Sequence, residues 1–262
     1  METLDIIAQR NNETRNTLPA ESCHWYDKQG QPRYTIIGKN GKERATTLRD
    51  AREHGWLPSV TEILNVAAKP GLEAWKAKQI LEAALTLPKL PDESLDDYAT
   101  RVIEDSKAQG KKAMERGTEL HAAIELDIQQ GPPSEKWDAH LQVLWKTLSA
   151  YGIDIYSGKA EHSFSSPLGY GGKLDWHNEE ALIDFKTKDR IIENKQLAWP
   201  EHCWQLAAYD QGVCVRRLLN VFIGVEDCQV RIHEWKPTDA EQGWEVFKHL
   251  LSVWKITKNY NP

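Results

Sequence analysis

The stretch GGKLDWHNEEALIDFKTK, beginning at Gly171, carries acidic residues and a lysine at spacings suited to chemistry on a phosphate ester. Lys173–His177 and Leu182–Lys186 alternate as strands do, around a four-residue hairpin loop, Asn178-Glu179-Glu180-Ala181. With His177 paired to Leu182, Asp175 falls directly opposite Asp184, and such neighbours have Cβ atoms about 4.5–5.5 Å apart. Two carboxylates that close repel unless a cation lies between them or one takes a proton. Lys186 points to the same face as Asp184, and Phe185 points to the other, toward a core. Hard divalent cations prefer oxygen ligands. One held by Asp175 and Asp184 would polarise a phosphate and acidify a bound water. Lys186 would position that water and offset charge developing on phosphorus. An isolated Asp-x-Lys is more often an ordinary surface ion pair. The opposed Asp175, the strand context and Gly171-Gly172 weigh against that reading here.

The elements that must position this hairpin follow from periodicity and punctuation. Residues 24–44 read as short strands, with turns at Gln29-Gly30 and Asn40-Gly41. Ser59 is expected to cap a helix, with Glu62 three residues later. Helices dominate residues 60–151, broken by Pro88, Pro91, Pro132 and Pro133. Leu95 to Gln130 is polar with apolar positions at helical spacing. A helix from about Ser134 to Tyr151 puts Trp137, Leu141, Leu144, Trp145 and Leu148 on one side. Strand-like alternation runs through 153–187, followed by a helix from about Gln196 to Gln211. Strands Leu219–Val225 and Val230–Trp235 and an amphipathic helix over 238–258 close the chain. Residues 1–20 are polar and expected to be loose. The order predicts an α/β layered domain, with an N-terminal β-hairpin and helical lobe at 1–100 and the core at 101–262.

Composition narrows the classes. A chain of 262 residues, 40% hydrophobic and 27% charged, matches an ordinary globular protein of one large domain or a core with an added lobe. A net charge of -6 argues against coating nucleic acid by bulk electrostatics, so any DNA track must be local. Among the eleven tryptophans, Trp176 and Trp204 adjoin the key segments, as core residues or as stacking surfaces for bases. Cys23, Cys203, Cys214 and Cys228 have no C-x-x-C spacing and are expected as small core thiols in a reducing compartment. The N-terminus lacks signal-peptide order, and LLNVFIGV at Leu218 is too short to span a bilayer. The expectation is a cytoplasmic protein without a membrane partner.

Four motifs in order give a resemblance. Asp175, then Asp184-Phe185-Lys186, then Gln205-Leu206-Ala207-Ala208-Tyr209, preceded by Arg116-Gly117-Thr118-Glu119-Leu120-His121, resemble the PD-(D/E)XK nuclease superfamily and its RecB-like branch. The likeness covers roughly residues 110–235, and upstream PSVTEIL and Trp75 look similar to mitochondrial genome maintenance exonucleases and related phage nucleases. It implies a restriction-endonuclease-like core with a central mixed sheet flanked by helices, plus an α-rich N-terminal lobe that helps form a DNA channel. It implies Mg²⁺ or Mn²⁺, one or two per site, held by His121, Asp175, Asp184 and the Phe185 backbone carbonyl. Glu161 matches a position often acidic in related exonucleases and is a further candidate ligand, or else an exposed strand glutamate. Gln205 would touch the site or its lysine, and Tyr209 would lie near the scissile strand. Leu174 stands where the superfamily's name has proline, as is common in this branch. The cysteines are too scattered for the iron–sulfur cluster of some members, so none is expected. The resemblance also implies a bacterium or a phage-infected cell as the setting.

Arg116, Lys173, Lys188 and Arg190 are candidates to guide DNA, with Lys111 and Lys112 as an alternative solvated run. The resulting expectation is a DNA exonuclease acting on single- or double-stranded ends in recombination, repair or replication. A homo-oligomer or a recombination partner protein is left open. The rivals are a structure- or site-specific endonuclease, a non-catalytic DNA-binding module, and a domain in which Asp-x-Lys is accidental.

Overall fold

A computed structural model describes residues 24–131 and 135–262. The polar N-terminal stretch with Cys23, and Pro132, Pro133 and Ser134, lie outside the described residues. The fold is α/β, built on a five-stranded mixed sheet flanked by helices. Its strands are β5 (Lys159–Ser166), β6 (Tyr170–His177), β7 (Ala181–Lys188), β8 (Arg217–Gly224) and β9 (Val230–Trp235), in that spatial order. All neighbours are antiparallel except β7 and β8. A parallel pair needs a crossover, and α6 (Pro200–Asp210) supplies it. The helix begins four residues later than the Gln196 of the sequence pattern, because Pro200 occupies its first turn and the residue before a proline is held extended.

Small elements precede the sheet. The pair β1 (Trp25–Tyr26) and β4 (Leu57–Pro58), the hairpin of β2 (Thr35–Ile37) and β3 (Glu43–Ala45), and helices α1 (Leu48–His54) and α2 (Val60–Leu64) come first. Ser59 caps α2, its side chain accepting the Glu62 N–H at 3.1 Å. Helix α3 (Pro70–Thr86) follows and buries only Ala83, so it stands out as an arm. Helix α4 (Leu95–Gln130) is one continuous element, with Ser94 capping it through the Asp97 N–H. The boundary between residues 100 and 101 falls inside it. Tyr98 near its start donates to the Ala84 and Leu87 carbonyls of the arm, whereas Leu120 and Ile124 near its end are core. Helices α5 (Asp138–Ala150) and α7 (Pro237–Thr257) complete the chain.

The sheet separates two apolar layers. On one side Tyr170, Leu174 and Leu182 pack with Trp25, Val60 and Ile63 and with Leu206, Phe247 and Trp254 of α6 and α7. On the other Trp176, Ile183, Phe185 and Val221 pack with Leu120 and Ile124 of α4 and Leu144 and Leu148 of α5. Trp176 is fully buried, and its Nε1–H donates to the Ile155 carbonyl, which fixes it as core. Trp204 is a partly buried neighbour of the first layer. Of the described cysteines only Cys203 is a buried core residue, its thiol pushed up to about 12 by burial, with the Asp239 charge adding to it. The other two depart from expectation. Cys214 is exposed and Cys228 half-buried, because each sits in a turn at positive φ, 56° and 53°, outside any regular element. No helix among the described residues is long and apolar enough to cross a membrane.

The hairpin between β6 and β7 is paired at His177↔Leu182 and Trp176↔Ile183. Asn178 closes the turn, its Oδ1 accepting the N–H groups of Glu180 and Ala181. The strands part beyond Trp176, and the Asp175 carboxylate accepts the Phe185 N–H at 2.8 Å in place of a ladder carbonyl. Glycines line the β6 side of this fork because neighbours approach closely. A Cβ on Gly171 would lie 2.7 Å from Tyr26 Cβ, and one on Gly172 would lie 2.7 Å from ring carbons of Phe164 and Tyr209. Overpacking of this kind costs about 1–3 kcal/mol. Gly172→Ala is therefore expected to lower unfolding free energy by that amount in urea titration, and an unchanged midpoint would show that the rings yield freely.

Candidate active site

Register places one polar residue from each of β7, β8 and β9 in a single row. Asp184 pairs with Asn220 and Asn220 with His233. Asp175 and Asp184 each lie one residue beyond the last β6–β7 pair, Trp176↔Ile183, and the Asp175 carboxylate reaches the N–H of Phe185, next to Asp184. Glu161 lies between the pairs Ala160↔Trp176 and His162↔Leu174, opposite Asp175, with its backbone left-handed at φ 55°. That conformation costs a non-glycine residue about 1–2 kcal/mol, and the Glu161 carboxylate is ion-paired with Lys173. Burial raises the Glu161 carboxyl despite Lys173. Burial alone would lower Lys173, but Glu161 overrides it.

Asp184 is the most enclosed of these acids, with 3% of its surface exposed. Lys186 Nζ lies 2.9 Å from its Oδ1 and 2.8 Å from its Oδ2. The Asn220 amide donates to Oδ2 at 2.7 Å. Asn220 is fully buried, and its own oxygen accepts from Trp235 Nε1 at 2.7 Å. An indole nitrogen only donates, so the direction of the Asn220 amide is determined by its partner. Lys186 Nζ also donates to Gln205 Oε1 at 3.1 Å, and Gln205 Nε2 donates to the Tyr209 hydroxyl at 3.1 Å. Gln205 and Tyr209 are four apart on α6 and face one way. Burial, and then the Asp184 charge, raise the Tyr209 phenol, which stays protonated.

Asp175 and His121 meet at the mouth of the fork. His121 Nδ1 lies 3.7 Å from Asp175 Oδ2, and its ring stands edge-on to Phe185, 6.3 Å between centroids. Helix α4 comes this close because Gly117 lies against β7, where a Cβ would be 2.8 Å from Thr187 Oγ1. Burial raises the Asp175 carboxyl; His121 opposes this and the Asp184 charge adds to it. The site thus gathers Asp175, Asp184, Lys186, His121, Gln205 and Tyr209 and sets Glu161 and Lys173 on its β5 side.

The other cations divide. Arg116 is bound to Asp189 at 2.7 Å and lies 3.8 Å from Glu226, which also takes Arg190 at 2.7 Å. These two arginines therefore tie α4 to the loops after β7 and β8. Lys188 forms no such pair among the described residues and lies over the Phe222 ring. Asn220 and Trp235 were missed from sequence, although Asn220 is the one polar residue within LLNVFIGV.

The donor set suits a hard divalent cation, with carboxylate oxygens predominating and one imidazole at the edge. Among the described residues no three acidic, histidine or cysteine side chains converge tightly enough to enclose a metal ion as they stand. The Lys186 ammonium already bridges both Asp184 oxygens, and Phe185 N–H holds one oxygen of Asp175. The remaining Asp175 oxygen and the raised carboxyl mark a place short of positive charge, so the residues fit such an ion once Lys186 turns from Asp184.

No family model matches this chain, and no curated protein does. Among solved structures it is similar to a candidate exonuclease from Eubacterium rectale, at 14% identity over 62% of this chain and 73% of that one, with a TM-score of 0.40. It is also similar to an alkaline exonuclease from Laribacter hongkongensis, at 12% identity over 76% of this chain and 91% of that one, with a TM-score of 0.35.

Removing the Asn220 side chain would leave the Trp235 N–H without its acceptor and Asp184 short of a donor, a loss of about 1–3 kcal/mol for each buried group left unpaired. Asn220→Ala is expected to lose at least that much unfolding free energy by chemical denaturation. A variant as stable as wild type would show that water replaces the amide.

Proposed function

We propose that this chain is a divalent-metal-dependent deoxyribonuclease that hydrolyses phosphodiester bonds, acting as an exonuclease in DNA recombination, repair or replication. One observation carries the reading: Asp175 and Asp184 each lie just beyond the last pair of the β6–β7 ladder, at the opening of a strand fork, with Lys186 bound to both Asp184 and Gln205. A close pair of acids with a lysine as counter-cation is suited to exchanging an ammonium for a metal ion and a phosphate.

In this reading Asp175, Asp184, the Phe185 carbonyl and His121 would hold one or two Mg²⁺ or Mn²⁺ ions, with Glu161 as an accessory ligand. The bound metal would polarise the scissile phosphate and acidify the attacking water. Lys186, released from Asp184, orients that water and offsets negative charge on phosphorus. Gln205 keeps the ammonium from swinging away, and Tyr209 holds Gln205. The water attacks in line, the P–O3′ bond breaks, and the products are a 5′-phosphate and a 3′-hydroxyl. The His121 element and the Gln205-to-Tyr209 spacing, typical of end-processing members of the family this sequence resembles, favour action at ends.

A digestion time course on end-labelled linear DNA and on closed circular DNA, with Mg²⁺, Mn²⁺ or chelator, tests this. Linear DNA is expected to be shortened from its ends only with metal, and cutting of the circle would instead assign an endonuclease. Lys186→Ala or Asp184→Asn should reduce the rate at least about a hundredfold, with circular dichroism unchanged. Full Mg²⁺-dependent activity in either variant removes the site assignment. His121→Ala should weaken Mn²⁺ binding about tenfold by calorimetry, and an unchanged affinity removes His121 from the ligand set.

A further inference from the structure

A half-buried lysine ordinarily has a carboxylate beside it, because taking an ammonium out of water is costly unless it is paired. Two lysines next to the Asp184–Lys186 pair break this pattern. Lys188 ends β7 two residues past Lys186, on the same side of the strand, with its Nζ 5.8 Å from the centroid of the buried Phe222 ring. Lys69 directly precedes α3, and its Nζ donates to the neutral Asn65 Oδ1 at 2.7 Å. Among the described residues neither ammonium has a carboxylate within 4.0 Å. Glu201 is the acid whose charge reaches both from farther off, and Lys195 adds a further positive charge near Lys188.

His202 of α6 packs on the same Phe222 ring, 5.8 Å between centroids. Its Nδ1 accepts the Trp199 N–H at 3.2 Å. The neutral ring therefore carries its proton on Nε2, which has no protein acceptor among the described residues. Burial, then the charges of Lys186, Lys188, His233 and Lys69, push this imidazole down to about 3, so it is uncharged at neutral pH. Helix α3 adds a first turn with no side-chain cap, the end of a helix that favours negative charge. Positive charge and N–H donors thus gather around His202, where the acceptors among the described residues are the neutral Asn65 amide oxygen on Lys69 and the more distant Glu201 carboxylate. Lys186 does not fill this role, being already engaged by Asp184 and Gln205.

We propose that Lys69, Lys188 and His202 form a binding subsite for a nucleic-acid phosphate neighbouring the scissile one, on the side of Lys186 away from Asp175. Residues two apart on a strand are about 6.6 Å apart, a step similar to that between adjacent phosphates of an extended nucleic-acid strand. The identity of the ligand rests on the nuclease reading; the preference for a phosphate does not. The two lysines supply charge, and the imidazole supplies an aimed, uncharged donor.

The test uses the full chain and its variants Lys69→Gln, Lys188→Gln, their double, His202→Phe, and Lys146→Gln as an exposed control on α5. Melting in sodium phosphate is compared with melting in sodium chloride at equal ionic strength, and the chloride melts verify folding. A fluorescein-labelled single-stranded oligonucleotide is titrated in chelator across a salt series. Phosphate is expected to raise the melting temperature of wild type and not of the double variant. The double variant should lose about 1.4 from the steepness of log affinity against log salt, since each lost contact to a single strand removes about 0.7. His202→Phe should weaken binding several-fold with the slope unchanged, and Lys146→Gln should match wild type. A wild-type slope in the double variant overturns the subsite even if the chain digests DNA. A phosphate effect lost in the double variant with its DNA slope intact assigns the place to free phosphate and overturns the nucleic-acid assignment. The expected slopes without DNA cleavage under any divalent cation overturn the nuclease reading and leave the subsite standing.

Discussion

Strands β6 and β7 pair for two positions and then separate, and the site exists because of that separation. In a continuous ladder the Asp175 and Asp184 side chains would be neighbours on a closed surface, and the Phe185 N–H would be used by a carbonyl. The fork instead leaves Phe185 N–H to the Asp175 carboxylate. This exchange fixes one acid by a backbone hydrogen bond and opens the space between the strands to Lys186, His121 and solvent. The two apolar layers hold the fork in place: Trp176 and Ile183 lock the closed end, and Gly171 and Gly172 admit Tyr26, Phe164 and Tyr209 against its open side.

Charge balance follows from the same geometry. Asp184 is almost fully enclosed, and an enclosed carboxylate needs donors on most of its lone pairs. Lys186 and Asn220 meet that need, and each is held by a further group, Gln205 for the lysine and Trp235 for the amide. Asp175 has less support, since His121 stands 3.7 Å away and the Asp184 charge opposes ionisation. The asymmetry gives one acid that is firmly placed and one that gains from an added cation. Beyond Lys186 the sign reverses: among the described residues Lys69 and Lys188 have no carboxylate within ion-pair distance, and Glu201 acts on both from farther off.

Much of this was legible in residue order because local rules govern it. The pairing of His177 with Leu182 followed from a short loop and strand alternation, and that register brought Asp175 and Asp184 to the same end of the hairpin. Four-residue spacing put Gln205 and Tyr209 on one side of α6 wherever that helix packed, and Ser59 announced its helix through its own side chain. The start of α6, the exposure of Cys214 and the engagement of Arg116 and Arg190 by Asp189 and Glu226 were not legible, since each depends on a turn or partner distant in the chain.

Residue order by itself determined the acid pair, the lysine beside it and the alternation that sends Phe185 to the opposite layer, because strand period and hairpin register act over a few residues. Only the tertiary structure decided that β6 and β7 part at Asp175, that His121 arrives from a helix more than fifty positions upstream, and that Asn220 and Trp235 complete the shell of Asp184. Those contacts join segments whose separation along the chain carries no periodic signal, and they form only when both faces of the sheet are covered.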